Sequence, residues 1–393
     1  AIGNGCLDLP TYQPEESEQM NPSNSRSALL ASKATAVIKK RLQGGLLAIA
    51  LLASWSGAQA GYSNLYVFGD SLSDTGNNAV VFDVVGASQS LPPGTLRTYP
   101  PTPSNSFIPS YPYVGSDVYS NGPVWASGFA SALGLSAAPS LTGGTNYAYG
   151  GARVGPLGNP NPFVDFPNNF PPSLTTQVAT FLGGSGGNAP SDALYVVAGG
   201  GNDARDIITK AAADIASNLN PTAGILAGAQ AYASYVDAMV NSLEGSGAKD
   251  IVVWNAPNAG LGPAIIANGA SGLGTLVTFL MNQALSAALA DDIADATDNV
   301  RIFDLFGFST AVATNPGAFG LVNVTDACSA DANIVDCAKN QYNYFFWDGI
   351  HPTAAGHRLI AGAMVAFVPE PGTIVLLALG LFGIVATRKR QTI

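Results

Sequence analysis

Four short stretches carry residue types that could do chemistry together. The first is Phe68-Gly69-Asp70-Ser71-Leu72-Ser73-Asp74-Thr75-Gly76-Asn77, where an apolar run ends in Gly-Asp-Ser. Open α/β sheets bind ligands beyond the carboxyl ends of their strands, so Ser71 stands where a nucleophile would. It precedes a possible helix start, whose N–H groups would favour developing negative charge, and it could equally be the cap of that helix. The second stretch is Asn146-Tyr147-Ala148-Tyr149-Gly150-Gly151-Ala152. Paired glycines let a backbone N–H approach a ligand closely, or simply make a tight turn. The third, Gly199-Gly200-Gly201-Asn202-Asp203, follows another apolar run. The Asn202 carboxamide can donate an N–H without taking a proton away, or serve the turn alone. The fourth is Phe346-Trp347-Asp348-Gly349-Ile350-His351-Pro352-Thr353. Asp348 can reach the His351 Nδ1–H across one turn, fix the tautomer and steady an imidazolium. The chain has only two histidines, so any imidazole chemistry falls to His351 or His357. His357, inside the helix that follows, reads as structural.

In sequence these blocks run Ser, Gly, Asn, then Asp-x-x-His. That order resembles the GDSL, or SGNH-hydrolase, family of esterases and lipases, over essentially all of 62–368. The resemblance implies that Ser71 is the nucleophile and gives its own N–H to an oxyanion hole. It implies that Gly151 gives a second N–H, with Gly150 as the alternative register, and that Asn202 gives a side-chain N–H. His351 would be the general base and then the acid, oriented by Asp348, while Asp70, Asp74 and Asn77 shape the nucleophile turn. The implied substrate is an ester, whether a small molecule, a lipid or an acetylated glycan. No cofactor and no metal is implied, which agrees with a sequence holding no HExxH and no paired CxxC.

The elements that must hold these residues alternate between two periodicities. Leu65–Phe68, Asp192–Val197, Ile251–Trp254 and Arg301–Phe306 are short apolar runs suited to strands buried on both faces. Thr222–Leu243, Gly272–Thr297 and Ala354–Phe367 place apolar residues at three- and four-residue spacing, and Pro352 suits the first turn of the last helix. The expected fold is α/β: a flavodoxin-like, three-layer α/β/α sandwich around a mostly parallel central sheet. Leu91–Tyr113 and Gly155–Pro172, rich in Pro, read as decoration around the mouth of the site.

Charge and the chain ends set the context. Residues 61–368 carry eight cations against 21 anions, so binding of nucleic acid is excluded and highly anionic substrates are repelled. Lys39, Lys40 and Arg41, the apolar run Gly45–Trp55 and Ser56-Gly57-Ala58-Gln59-Ala60 describe a secretory signal peptide cut after Ala60. Met20 is the expected start, with 1–19 an upstream extension. Beyond 368, Val368-Pro369-Glu370-Pro371-Gly372, an apolar run of Thr373–Thr387 and Arg388-Lys389-Arg390 resemble the PEP-CTERM sorting signal of Gram-negative bacteria. Its apolar run is short for a membrane span, and the cations after it would hold it at the inner face. That resemblance implies processing by an exosortase-type peptidase and delivery to the cell surface or extracellular matrix, with the membrane touched only through residues 369–393. Export favours an oxidising compartment and a local disulfide between Cys328 and Cys337.

Overall fold

The computed structural model describes residues 61–92, 94–97, 112–155, 170–330 and 333–368. The expected signal and sorting segments lie outside the described residues, as does most of the two Pro-rich stretches. Four strands form one parallel sheet: β1 (Leu65–Gly69), β2 (Leu194–Ala198), β3 (Asp250–Trp254) and β4 (Asn299–Phe303), side by side in that order. Their registers pair Gly69 with Ala198 and Trp254 with Phe303, so the carboxyl ends of the strands form one common edge.

Alternation along each strand divides the core in two. Phe68, Tyr195, Val197, Ile251 and Val253 point to one face. There they meet Leu174, Val178 and Phe181 of α3 (Leu174–Gly184), Ile208 of α4 (Gly201–Ala216), Val236 and Val240 of α5 (Thr222–Gly245), and Val277 and Met281 of α7 (Ser271–Ala288). Leu65, Val67, Leu194, Val196, Val252 and Trp254 point to the other. They are covered by Trp125 and Phe129 of α2 (Trp125–Ala132) and by Ile360 and Met364 of α11 (Ala354–Phe367). Burial on both faces is what continuous apolar strands require. The result is the expected three-layer α/β/α sandwich. The remaining helices are α1 (Asn77–Ser88), α6 (Pro263–Ala267), α8 (Ala290–Ala294), α9 (Leu305–Thr314) and α10 (Ile334–Asn340).

Several boundaries differ from expectation, each for a local reason. The fourth strand is Asn299–Phe303, not Arg301–Phe306, because Asp304 caps α9 by accepting from the Gly307 N–H at 2.8 Å. Gly272–Thr297 is not one helix: α7 ends at Ala288, α8 follows, and Asp295 turns the chain by accepting from the Thr297 N–H at 2.8 Å. Pro352 lies outside α11, which is capped by Thr353 through the Gly356 N–H at 3.0 Å. A second, two-stranded parallel sheet was not anticipated, formed by β5 (Asn323–Ala327) and β6 (Tyr344–Phe346). Cys328 and Cys337 are disulfide-bonded, with their Cα atoms 5.1 Å apart. Among the described residues no helix is long and apolar enough to cross a membrane.

Candidate active site

The site is built outward from the end of β1. Gly69 closes the strand where a Cβ would sit 2.7 Å from the Ala198 carbonyl oxygen, so only glycine fits. Gln177 of α3 grips this end from both sides: its Oε1 accepts from the Gly69 N–H at 2.8 Å, and its Nε2 donates to the Gly69 carbonyl at 2.9 Å. The chain then turns tightly, with the Ser73 and Asp74 N–H groups donating to the Asp70 carbonyl at 3.0 and 2.9 Å. Asp70 Oδ1 accepts from the Leu72 N–H at 3.0 Å, and Ser71 is left at the apex.

A second layer lashes this turn to the glycine pair. Residues 145–149 run beside β1, where the Tyr147 N–H donates to the Val67 carbonyl at 2.7 Å and the Tyr149 N–H to the Gly69 carbonyl at 3.1 Å. The Asn77 amide donates to the carbonyls of Asn146 and Ala148, both at 2.9 Å, and Asn146 donates to the Ser73 carbonyl at 2.7 Å. Asn78 donates to the Tyr119 hydroxyl at 2.6 Å and to the Gly150 carbonyl at 3.0 Å. Asp74 is the hub, accepting from the N–H groups of Gly76, Asn77, Asn78 and Gly150. Burial nonetheless pushes its carboxyl up to about 6 against those four donors. Ser71 is therefore not a helix cap. The helix α1 begins at Asn77, and Asp74 already holds its first N–H groups, so no helix terminus is left to face Ser71.

The opposite wall is a reversed turn. Phe346 and Pro352 pair across it, the Trp347 N–H donates to the His351 carbonyl at 2.7 Å, and the Thr353 N–H donates to the Phe345 carbonyl at 2.7 Å. Inside it, Asp348 Oδ1 accepts from the N–H groups of Ile350 at 2.9 Å and His351 at 2.8 Å. Asp348 Oδ2 lies 2.7 Å from His351 Nδ1, and His351 Nε2 lies 2.8 Å from Ser71 Oγ, a span of 280 residues. All three side chains are buried. The Tyr119 ring stands beside the imidazole at 5.3 Å.

Gly151 and Asn202 complete the ring of expected residues. Gly151 has φ +84°, and the Gly150 position has no room for a Cβ, which would overlap the Tyr119 ring. The Gly150 N–H is spent on Asp74, whereas the Gly151 N–H has no acceptor among the described residues. Asn202 opens α4 after Gly200, which takes φ +112° with its absent Cβ facing the Tyr232 ring. One Nδ2–H of Asn202 donates to the Ala152 carbonyl at 2.9 Å, leaving the second for a ligand. Burial pushes the Asp70 carboxyl up to about 6 and that of Asp203 up to about 7, while the Arg205 guanidinium is lowered by burial. His357 is not near the relay. It accepts from the Trp125 N–H at 3.2 Å, and burial drives it down to about 3, neutral and structural.

Beyond Ser71 and His351 opens an apolar cavity with about 1030 Å3 of empty space, its mouth included, walled by Leu72, Ile208, Ile265, Leu305, Val312 and Phe345. No cluster of metal-ligating side chains occurs among the described residues. Sequence reasoning missed Asn78, Asn146 as a donor, Tyr119 and Tyr113, whose hydroxyl donates to Asp348 Oδ2 at 3.0 Å. Asn78 could have been found by its place beside Asn77, but Tyr113 carried no signal.

The family model for GDSL-like lipases and acylhydrolases matches residues 65–364, the span from β1 to the last turns of α11. The chain belongs to the GDSL-like lipase/acylhydrolase family. A PEP-CTERM protein-sorting motif matches residues 367–391, which implies export to the cell envelope in Gram-negative bacteria. Among curated GDSL relatives, an esterase named EstA from Pseudomonas aeruginosa is 27% identical over 358 residues, covering 84% of this chain and 51% of the relative. A lipase named Lipase 1 from Photorhabdus luminescens is 32% identical over 224 residues, covering 56% of this chain and 26% of the relative. A GDSL esterase/lipase of Arabidopsis thaliana is 29% identical over 144 residues, 32% of this chain and 41% of the relative. The chain thus spans about half the length of the EstA relative it matches.

Proposed function

We propose that this GDSL-family chain is an exported serine esterase that hydrolyses carboxylic esters through an acyl-enzyme. The observation that carries the reading is the continuous Asp348–His351–Ser71 relay, with contacts of 2.7 and 2.8 Å. A serine hydroxyl is a weak nucleophile near neutrality and needs an adjacent base. His351 Nε2 takes the Ser71 proton as Oγ attacks the ester carbonyl, and Asp348 Oδ2 steadies the imidazolium at Nδ1. The N–H groups of Ser71 and Gly151 and the free Nδ2–H of Asn202 receive the charge that develops on the carbonyl oxygen. His351 then protonates the leaving alcohol. Water, activated by the same imidazole, releases the acid from Ser71.

The apolar cavity favours an ester whose acyl part is itself apolar, of lipid or neutral small-molecule type. Removal of O-acetyl groups from an extracellular polysaccharide is the second reading, suited to the sorting signal, but an acetyl group would leave that cavity largely empty. A surface protein on an idle scaffold is the third, and the intact relay argues against it. Release of the tail by an exosortase-type peptidase, with delivery to the surface or matrix, is part of the proposal and rests on the sorting motif.

The test is a fluorophosphonate probe followed by a panel of aryl esters graded in acyl length, with acetylated glycans alongside. Labelling at Ser71 and a rise in kcat/KM from acetyl to longer acyl chains are expected. A folded protein that is neither labelled nor active would sink the esterase reading, and preference for acetylated glycan would favour the second.

A further inference from the structure

Among the described residues, Asp348 receives one hydrogen bond from outside its own turn, and it comes from Tyr113, 235 positions earlier. Asp348 Oδ1 is filled by two backbone N–H groups of its own turn. Its other oxygen, Oδ2, is shared by the His351 Nδ1–H at 2.7 Å and the Tyr113 hydroxyl at 3.0 Å. We propose that Tyr113 is a positioning residue of the catalytic relay, holding Asp348 Oδ2 in line with His351 and tempering the negative charge that the imidazole meets. The inference rests on the reading of Ser71, His351 and Asp348 as catalytic.

Three observations support it. First, the phenol cannot swing away: Tyr113 is 1% exposed, and its ring packs edge-on against Trp347 at 5.6 Å. Its backbone is fixed by its N–H donating to the Val118 carbonyl at 3.0 Å. Second, Tyr113, Trp347, Tyr344 and the paired Cys328 and Cys337 form one small buried cluster, so the donor rests on a cross-linked base. Third, burial and the adjacent carboxylate push the phenol strongly upward, so it stays a donor at any working pH.

The physical consequence has a sign. A donor on Oδ2 draws off part of the charge that stabilises an imidazolium, so removing it strengthens that stabilisation and loosens the carboxylate. The other groups facing His351 are Ser71 and Asp70 on the nucleophile turn, the Tyr119 ring, and His357 on the closing helix, with Arg205 on α4 acting on Asp70. None of these is altered when Tyr113 changes.

The experiment measures kcat and kcat/KM against pH for the whole purified chain in three forms: unaltered, Tyr113→Phe, and with 3,5-difluorotyrosine, a stronger donor, at position 113. For Tyr113→Phe, kcat is expected to fall about tenfold with KM within about twofold. Its acid limb is expected to move up by about half a pH unit, and the fluorinated protein, which keeps the ring and its packing, to move the opposite way. A merely structural tyrosine would lower activity or the thermal midpoint without moving the limb. An unmoved limb in both variants, while Ser71→Ala still abolishes turnover, would overturn the role of Tyr113 alone. Full turnover in Ser71→Ala would overturn the esterase reading and this inference with it.

Discussion

Asn202 and the two histidines show how far a residue's role depends on what surrounds it. Asn202 spends one N–H on the Ala152 carbonyl, which aims the other. For Asn202→Ala, kcat is expected to fall about 10²–10³-fold, the usual cost of one oxyanion donor, with KM little changed. His351 and His357 are six positions apart and chemically identical, yet one meets Ser71 and the other is sealed against Trp125. His351→Ala is expected to lose nearly all turnover in a steady-state ester assay. His357→Ala is expected to keep most of it while lowering the thermal midpoint, and the reverse outcome would show that the base had been misassigned. The sequence made Ser71, Asn202, Asp348 and His351 legible because each sits in a compact block beside its own strand end. It left the choice between Gly150 and Gly151 open, since only folding reveals that Asp74 consumes the first N–H. Tyr113 was illegible, because its meaning lies in a contact across 235 positions.

Elements were legible where their pattern is driven by burial. The four central strands and the closing helix carry their own apolar periodicity, and the helix bounds Ala354–Phe367 agree with the spacing. The small second sheet does not: Asn-Val-Thr-Asp-Ala in β5 is largely half-buried and polar, so no apolar run announces it. Yet this pair of strands feeds directly into the Asp348 turn, and the disulfide anchors the chain that follows β5. Replacing both Cys328 and Cys337 by Ser is expected to cost about 2 kcal/mol in denaturant unfolding, low in the usual range because the loop spans few residues. Activity is expected to fall further than that loss alone predicts, because the cluster holding Tyr113 and Trp347 loosens. An unchanged kcat in the folded double variant would show that the cluster does not bear on the relay.

At the scale of the molecule, an anionic chain has buried several acids around its centre. The carboxyl of Asp203 is pushed up to about 7, and those of Asp70 and Asp74 up to about 6, by burial. A carboxyl raised in this way binds a proton in the folded state before the unfolded one, so stability increases as pH falls through those values. His357 acts oppositely: with a folded value of about 3, it loses stability for the fold as pH drops below the range where an unfolded imidazole protonates. Between about pH 8 and 6.5 only the acids act, so the thermal midpoint is expected to rise across that window and level off below it. In Asp203→Asn, whose amide oxygen can still accept from the Val154 N–H, the upper part of the rise is expected to flatten. A midpoint that falls steadily from pH 8 downward would contradict this balance.

Ser71 and His351 stand at opposite ends of the folded domain's sequence, 280 positions apart, and His351 is followed directly by the helix that seals the second layer. A chain still leaving the ribosome, or threading through a translocation pore, presents its hydroxyl long before its imidazole. Until the final helix docks, that hydroxyl has no partner to take its proton and is chemically inert. Hydrolytic power thus arrives with the last step of folding, and the lipids of the cell that makes the protein are spared while it is in transit.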